Sequence, residues 1–418
     1  MRAPACVRAR ERAAAALKAR AACENRARAV SVHSPHLRLG GIYFAYFVFI
    51  GAFSPYFSLY LQSIGQAAWQ IGLSLSLMQL MRVAAPNLWA SLADRHGWRA
   101  GLLRATLAAA IAAYCGVFAT TSFAGLFAVL AVFAFFSSAT MPLVEAITLT
   151  RLRNRIEGYG AIRLWGSVGF IAAVLGVGWL LDRIAIGNLL WLLVLPLVAT
   201  LALAATLQEA PGANRAAPER FLPHALRPEV VALLGANLLM NVAHGPLYAF
   251  YSIYLDEAGY SKTLIGGLWS LGVVAEIGVF LAAPWWMRRF GAHQVLLACF
   301  ALAVVRFAVI GWGVGSLGLL IAAQIAHAAT FGACHMASVA LINRWFAGAR
   351  QVRGQALYMS IAYGVGSFIG TVASGLAWDT IGPAWTFTAA SAAAAGGLLL
   401  LAARAKLLKQ AATAHAAA

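Results

Sequence analysis

The sequence predicts an all-α polytopic membrane protein of twelve transmembrane helices, arranged as two pseudo-symmetric six-helix bundles. Three observations predict this fold class. The chain is 62% hydrophobic and only 11% charged, apolar stretches long enough to cross a bilayer recur along it, and its second half repeats its first. Because backbone groups in lipid must be hydrogen-bonded within the chain, apolar segments of this length are expected to form helices.

Twelve apolar segments follow residue 38, and we interpret each as one transmembrane helix. They cover residues 39–62, 70–93, 101–120, 123–149, 159–181, 187–207, 228–255, 262–285, 294–314, 317–343, 353–377 and 383–403. The predicted organisation is a basic, disordered cytoplasmic tail (1–38), an N-terminal bundle (39–207), a cytoplasmic linker (208–227), a C-terminal bundle (228–403) and a cytoplasmic C-terminal tail (404–418).

The net charge of +18 is explained by membrane topology, not by nucleic-acid binding. With a cytoplasmic N-terminus, the 31 Lys and Arg residues divide into 9 in the tail, 17 in or beside cytoplasmic segments, 3 within spans and 2 outside. This asymmetry follows the positive-inside rule. We therefore expect a protein of the bacterial inner membrane with both termini in the cytoplasm and no nucleic-acid partner.

The second half of the chain repeats the first, which predicts two bundles related by duplication. A shift of 194 residues lays AFSPYFSLYLQSIGQAAWQIG (52–72) over PLYAFYSIYLDEAGYSKTLIG (246–266). Identical residues at this shift include Ser58 and Ser252, Tyr60 and Tyr254, Gly65 and Gly259, and further along Gly97 and Gly291. With a small change of register, Gly169, Gly178 and Asp182 match Gly366, Gly375 and Asp379. A parallel repeat of this kind places a binding site near mid-membrane between the bundles.

Ionisable residues inside the spans are the candidates for function, because each charge at a span centre costs about 2.5 to 3.5 kcal/mol. The charged ones are Arg82, Glu145, Arg163, Glu276 and Arg306, and the histidines are His244, His327 and His335. Three arginines against two glutamates leave one surplus positive charge, which an anionic ligand would balance. Protonating either glutamate raises that surplus and tightens anion binding, so a proton and an anion could travel together.

Two pairs of these residues are expected at similar depth. Glu145 and Arg163 flank the turn near residues 150–158, so both lie about 7 to 8 Å into their helices and could neutralise each other. Arg306 and His327 flank the turn near residues 314–317, and a neighbouring guanidinium favours a neutral His327. His335 has no nearby carboxylate on its helix, and the five cysteines show no CxxC spacing. We therefore expect neither a metal site nor a cofactor.

The segment WASLADRHGWRAGLLR (89–104) between spans 2 and 3 contains Asp94 and Arg95 in a tight charged turn at Gly97. This turn resembles the motif between helices 2 and 3 of the major facilitator superfamily, with Ala90 replacing its first glycine and Trp98 one of its basic positions. The resemblance implies the six-plus-six transporter fold. It also implies that Asp94 and Arg95 hold a cytoplasmic gate.

Within that superfamily the chain resembles the 3-phenylpropionate permease group over about residues 39–403, in stretches such as YGAIRLWGSVGF (159–170) and IAHAATFGACHMA (325–337). It is similar, more distantly, to lactose permease. That likeness implies substrate contact by Glu145 and Arg163, an aromatic contact by Phe170, and a proton site at Arg306 and His327. One departure is that Thr330 replaces the proton-carrying glutamate, so Glu276 at the middle of span 8 becomes the candidate proton carrier.

The sequence thus predicts a secondary transporter that imports a small organic acid, with aromatic acids among the candidates, together with protons, and functions as a monomer. Arg82 is an intramembrane charge without an assigned role. A proton-coupled sugar or nucleoside symporter is the alternative, followed by a drug exporter, although span 5 lacks the Gly-Pro signature of exporters. A membrane-embedded enzyme or a sensor is disfavoured, because no HExxH, GxSxG or P-loop pattern and no soluble output domain are present.

Overall fold

The structure is a computed structural model that describes residues 37–152, 156–209, 222–346 and 350–404. Within these ranges every long element is a helix and none is a strand. All but the last two residues of the predicted basic tail, most of the predicted linker and the predicted C-terminal tail beyond residue 404 lie outside the described residues. The domain boundaries drawn from the sequence therefore remain a prediction.

Twelve long helices fill the described ranges. They are α1 Leu37–Ser63, α2 Ala68–His96, α3 Arg99–Cys115, α4 Phe123–Arg151, α5 Ile156–Leu181, α6 Leu189–Ala205, α7 Pro228–Glu257, α8 Lys262–Phe290, α9 Ala292–Trp312, α10 Leu317–Trp345, α11 Gln351–Ile381 and α12 Pro383–Ala403. Each predicted span coincides with one helix. The helix ends differ by a few residues from the predicted ends, because polar residues at a helix end can extend beyond its apolar stretch.

Eleven of the helices in the described ranges are long and apolar enough to cross a membrane. The remaining one, α2, has a comparable length of 29 residues, but Gln70, Gln79 and Arg82 interrupt its apolar sequence. It packs between α4 of its own half and α11 of the other half. The fold is therefore the predicted twelve-helix arrangement, with α2 as its most polar member.

The turns between helices repeat in the two halves, as the sequence predicts. Gly65 after α1 and Gly259 after α7 have φ angles of 81° and 86°, and Gly97 after α2 and Gly291 after α8 have 67° and 74°. Residues with a side chain rarely adopt these left-handed conformations, so glycine is the residue that fits such turns. The duplication is thus visible in the backbone at the same 194-residue shift.

The two halves meet tightly at one face of the bundle, which carries the turns after α1, α5, α7 and α11. There α5 packs on α8, and α2 packs on α11. A Cβ atom on Gly72 would lie 2.9 Å from the Cα of Gly375, so only glycine permits this approach. Hydrogen bonds between the halves, such as the 2.8 Å bond from Gln62 Nε2 to Glu257 Oε1, concentrate here. We call it the closed face and the other the opposite face.

Candidate functional site

Arg306 of α9 is the most deeply buried charge in the described part of the C-terminal half, with 1% of its surface exposed. Its Nε donates to the Ala323 carbonyl oxygen at 2.8 Å, and its Nη1 donates to Thr330 Oγ1 at 3.3 Å. The same Nη1 lies 3.5 Å from His244 Nε2. Three neutral acceptors from α7 and α10 therefore hold the guanidinium in place.

The partners of His244 determine its protonation state. Its Nδ1 lies 2.8 Å from the Met240 carbonyl oxygen, which only accepts, so Nδ1 must carry a proton. Its Nε2 faces Arg306, which only donates, so Nε2 must be unprotonated. His244 is therefore neutral in this arrangement, and adding a proton would break the contact and place two cations side by side.

Glu276 of α8 and His327 of α10 are in direct contact, with 3.1 Å between Glu276 Oε1 and His327 Nε2. Their side chains are 14% and 8% exposed. The His327 ring stacks on Phe331 with the centroids 5.3 Å apart and the planes 9° from parallel. A contact of this length requires one proton between the two atoms, and a carboxyl group paired with an imidazole can bind and release a proton.

Two buried polar atoms of this cluster have no hydrogen-bond partner in the described part of the chain, namely Arg306 Nη2 and His327 Nδ1. Buried polar groups are normally satisfied by the protein, by water or by a ligand. The cluster therefore has hydrogen-bonding capacity left for a water molecule or a substrate.

Helix α10 has a π-helical turn at Ala328–Ala333, immediately after His327, and α11 has another at Met359–Gly366. Such turns change the direction of side chains within a helix and occur frequently at functional sites. The second π-helical turn contains Tyr363, whose hydroxyl lies 3.0 Å from His335 Nδ1; the Tyr358 hydroxyl lies 3.2 Å from the same atom. The π-helical turns thus accompany both histidines of α10.

In the N-terminal half, Glu145 and Arg163 have separate partners. The Tyr159 hydroxyl donates to Glu145 Oε1 at 3.4 Å. The Arg163 guanidinium lies 4.3 Å from the centroid of the Phe47 ring and 5.6 Å from that of Tyr43. The charges of Glu145 and Arg163 attract each other, as expected, but the two side chains form no direct ion pair among the described residues, because similar depth does not fix the direction of a side chain around its helix.

Three further predicted site residues have less defined surroundings. Phe170 is partly buried against the apolar core, and its backbone touches α1 at Gly51. Arg82 is exposed on α2, next to Val83, whose carbonyl oxygen accepts a 3.2 Å hydrogen bond from Ser360 of the other half. Arg95 is exposed near the end of α2.

The Asp94 side chain, the other half of the predicted cytoplasmic gate, lies outside the described residues. The gate therefore stays a prediction.

The structure thus brings together Glu276, Arg306 and His327, the three residues assigned to proton coupling from the sequence. It adds His244, which the sequence analysis placed in span 7 without a role, and it assigns Thr330 a hydrogen bond with Arg306. The cost of placing a polar histidine in a span was the signal that could have identified His244.

The twelve-helix fold in two repeated halves is that of a membrane transporter of the major facilitator type. The chain belongs to the MFS_1 like family, whose family model matches residues 36–389. This membership confirms the superfamily predicted from the turn after α2 and from the repeat.

Two relatives are similar in sequence over much of their length. The probable 3-phenylpropionic acid transporter of Escherichia coli (strain K12) is 33% identical over 349 residues, which cover 81% of this chain and 90% of that protein. The maltose permease of Geobacillus stearothermophilus is 35% identical over 275 residues, which cover 63% of this chain and 68% of that protein.

Among solved structures, the crystal structure of the nucleoside transporter NupG superposes with a TM-score of 0.75 at 17% identity. The match covers 90% of this chain and 99% of that one. At this identity the likeness supports the fold alone.

Proposed function

We propose that this transporter imports a small aromatic carboxylate together with protons, by alternating access between its two halves. The observation that carries the proposal is the position of Arg163. Its guanidinium lies within the membrane-spanning part of α5, against the Phe47 ring at 4.3 Å, and no carboxylate among the described residues forms an ion pair with it. A charge within a span is costly, so an anionic substrate that pairs with Arg163 relieves part of this cost.

The surroundings of Arg163 suit an aromatic acid. Phe47, which is partly exposed, and the buried Tyr43 flank the guanidinium, and the Phe47 ring can contact the ring of such a substrate while the guanidinium binds its carboxylate. Glu145, which accepts a hydrogen bond from Tyr159, would orient the substrate from the neighbouring helix, and Phe170 would line the site. The relative from Escherichia coli, named as a probable 3-phenylpropionic acid transporter, supports this substrate class.

Proton coupling would use the contact between Glu276 and His327. In our proposal Glu276 carries the proton, His327 holds its carboxyl group at 3.1 Å, and Arg306 sets the local electrostatic potential. Binding a proton at Glu276 makes the membrane interior one unit more positive, which strengthens the binding of a carboxylate. By linkage, the bound carboxylate strengthens the binding of the proton to the same extent.

The topology that accompanies this proposal has both termini in the cytoplasm of a bacterial cell and the closed face toward the outside. It follows from the positive-inside distribution of Lys and Arg. On this orientation the conformation is closed to the exterior, as in the step that releases substrate inward. One chain contains both halves and would transport as a monomer.

A proton-coupled sugar symporter is the second candidate, because the maltose permease is 35% identical to this chain. Arg163 argues against it, since a neutral sugar would leave the guanidinium with only the longer-range attraction of carboxylates such as Glu145 and with no direct ion-pair partner. The nucleoside transporters among the structural matches do not separate the two candidates, because that likeness concerns the fold alone.

Competition experiments distinguish these functions. Cells that express the protein would be given radiolabelled 3-phenylpropionate with an excess of unlabelled benzoate, cinnamate, maltose or uridine. We expect the aromatic acids to reduce uptake and the sugar and nucleoside to leave it unchanged. Uptake of labelled maltose, unaffected by aromatic acids, would overturn the proposal in favour of the sugar symporter.

A further inference from the structure

Two aspartates at the closed face each bind the start of a helix in the opposite half. Asp182, directly after α5, accepts hydrogen bonds from the backbone N–H groups of Lys262 at 2.8 Å and Thr263 at 2.9 Å, and from the Thr263 hydroxyl. Asp379, near the end of α11, accepts one from the backbone N–H of Ala68 at 3.2 Å. We call these the Asp182 cap and the Asp379 cap.

The two caps are copies of each other in the repeat. Ala68 and Lys262 are the first residues of α2 and α8 and differ by the 194-residue shift that relates the halves. Asp182 and Asp379 are the pair that the shifted register matched in α5 and α11. Their recurrence at equivalent positions indicates that the caps belong to the duplicated fold.

The caps use groups that a helix cannot satisfy by itself. The first N–H groups of a helix have no intrahelical acceptor and carry a partial positive charge, so a carboxylate there is favourable. At the start of α8 the Ser261 side chain accepts from Leu264 N at 3.2 Å, which leaves the Lys262 and Thr263 N–H groups for Asp182. The acceptor comes from the other half, so these bonds exist only while the closed face is closed.

Glycine one turn before each aspartate allows the approach. A Cβ atom on Gly178 would overlap the Lys262 carbonyl oxygen, and one on Gly375 would lie 2.8 Å from the Ala68 carbonyl oxygen. The backbone of α5 therefore contacts the backbone at the beginning of α8, and the backbone of α11 contacts that at the beginning of α2 in the same way. This close contact places each carboxylate beside the helix start.

The two caps differ in strength. The α5–α8 contact includes three hydrogen bonds to Asp182, and the Tyr56 hydroxyl additionally lies 2.6 Å from the Val174 carbonyl oxygen and 3.1 Å from that of Lys262. At the positions equivalent to Thr263 and Tyr56, the other contact has Trp69 and Phe250. Phe250 has no donor, and the Trp69 ring packs against Phe123 without a hydrogen bond to Asp379 among the described residues, so the Asp379 cap is the weaker one.

We infer that Asp182 and Asp379 are gating residues that hold the closed face shut, and that Asp182 contributes most of this stabilisation. Replacing a helix N-cap residue by alanine typically costs about 0.5 to 2 kcal/mol. Since 1.4 kcal/mol corresponds to a factor of ten, Asp182→Ala should raise the ratio of open to closed molecules about ten-fold. Asp379→Ala, which removes one longer hydrogen bond, should raise it about two-fold, and the double variant about 20-fold if the effects add.

Single-molecule fluorescence energy transfer measures this ratio. Dyes on Thr121→Cys and Ser316→Cys would report the distance between the two halves, because both residues are exposed in turns at the closed face. Cys115, Cys6 and Cys23 would be replaced by serine. The protein would be in lipid nanodiscs without substrate, so the result does not depend on the proposed substrate or on proton coupling.

Asp256→Ala is the matched control. Asp256 lies at the same face and binds the Lys262 ammonium group at 2.8 Å, but both residues belong to the C-terminal half. Asp182→Asn is the conservative variant, since asparagine keeps one of the two acceptor oxygens and should shift the ratio less than alanine. The expected order of opening is Asp182→Ala, then Asp379→Ala, then Asp256→Ala at or below the wild-type level, because the freed Lys262 ammonium group can only strengthen its attraction to Asp182. Equal effects of the two caps, no effect of Asp182→Ala, or an equal effect of the control would overturn the inference.

Discussion

Replacing Arg163 by glutamine tests whether this guanidinium binds the substrate carboxylate. In the structure Arg163 lies against Phe47 at 4.3 Å and has no ion-pair partner among the described residues, so the variant removes no internal salt bridge. A hydrogen bond to a charged group contributes about 1.5 to 3 kcal/mol. The substrate concentration for half-maximal uptake should therefore rise about 10- to 150-fold, with a smaller rise for Arg163→Lys, because lysine keeps the charge but not the bidentate geometry.

The assay is the concentration dependence of 3-phenylpropionate uptake, corrected for the amount of inserted protein. Arg289→Gln is the matched control, because Arg289 also faces a phenyl ring, with 5.8 Å to the centroid of Phe290, but is exposed at the end of α8. An unchanged half-saturation concentration in Arg163→Gln would refute the role of Arg163. An equal loss in Arg289→Gln would show that the effect is not specific to the site.

Three further predictions concern the proton carrier and the closed face. Glu276→Gln should abolish accumulation driven by a proton gradient but retain exchange of internal for external substrate. The control Glu229→Gln, at the start of α7, should keep both activities. Loss of exchange in Glu276→Gln would count against a role in coupling. Gly266→Ala should favour opening of the closed face, since its Cβ would overlap the Val174 carbonyl oxygen. The control Gly267→Ala meets no atom within 4 Å and should behave as wild type in the fluorescence assay. Partial burial acts to raise the pKa of Asp182, but its hydrogen bonds from Thr263 and Lys262 and the Lys262 charge outweigh this, so the pKa lies below its ordinary value. The Asp182 cap is therefore expected to be fully formed above the ordinary aspartate pKa and lost only as the pH falls through the lowered one. The factor by which Asp182→Ala raises the ratio of open to closed molecules should therefore stay constant between about pH 5 and pH 8, whatever protonation of Glu276 does to the ratio itself; a decrease of that factor within the window would contradict the assignment.

The helices and their repeat could be predicted because they depend on local sequence. Apolar length predicted each of the twelve helices, and the matched glycines Gly65 and Gly259 adopt the same left-handed turn. The depth of a residue in the membrane could also be predicted, because it follows from the number of residues between it and the nearest turn. That count placed Arg306 and His327 at one level, and the structure places both in one buried cluster.

The direction of side chains between helices could not be predicted. Glu145 and Arg163 were expected to neutralise each other from their depth, and their charges do attract each other, but Arg163 contacts Phe47 and Glu145 contacts Tyr159 instead of forming a direct ion pair. The rotation of a helix about its axis is set by packing with its neighbours, which one sequence does not specify. The contact between Glu276 and His327, 51 residues apart in the chain, depends on the same packing.

The π-helical turns of α10 and α11 could also not be predicted from the sequence. A π-helical turn inserts one extra residue into a helix, and it is retained where tertiary contacts offset its poorer geometry. The stretch Ala328–Ala333 contains one glycine, Gly332, and no proline, as ordinary helices of this chain also do. The hydrogen bonds of Thr330 and the stacking of Phe331 on His327 therefore became visible only in the folded chain.

Uptake into proteoliposomes tests the central claim, that this protein couples an aromatic carboxylate to protons, most directly. Purified protein would be reconstituted, a proton gradient directed inward would be imposed, and the internal concentration of radiolabelled 3-phenylpropionate would be followed with and without a protonophore. We predict a transient internal concentration above the external one, abolished by the protonophore. Equilibration without accumulation, with the protein inserted and active in exchange, would contradict proton coupling, and the absence of any protein-dependent uptake would contradict the substrate class.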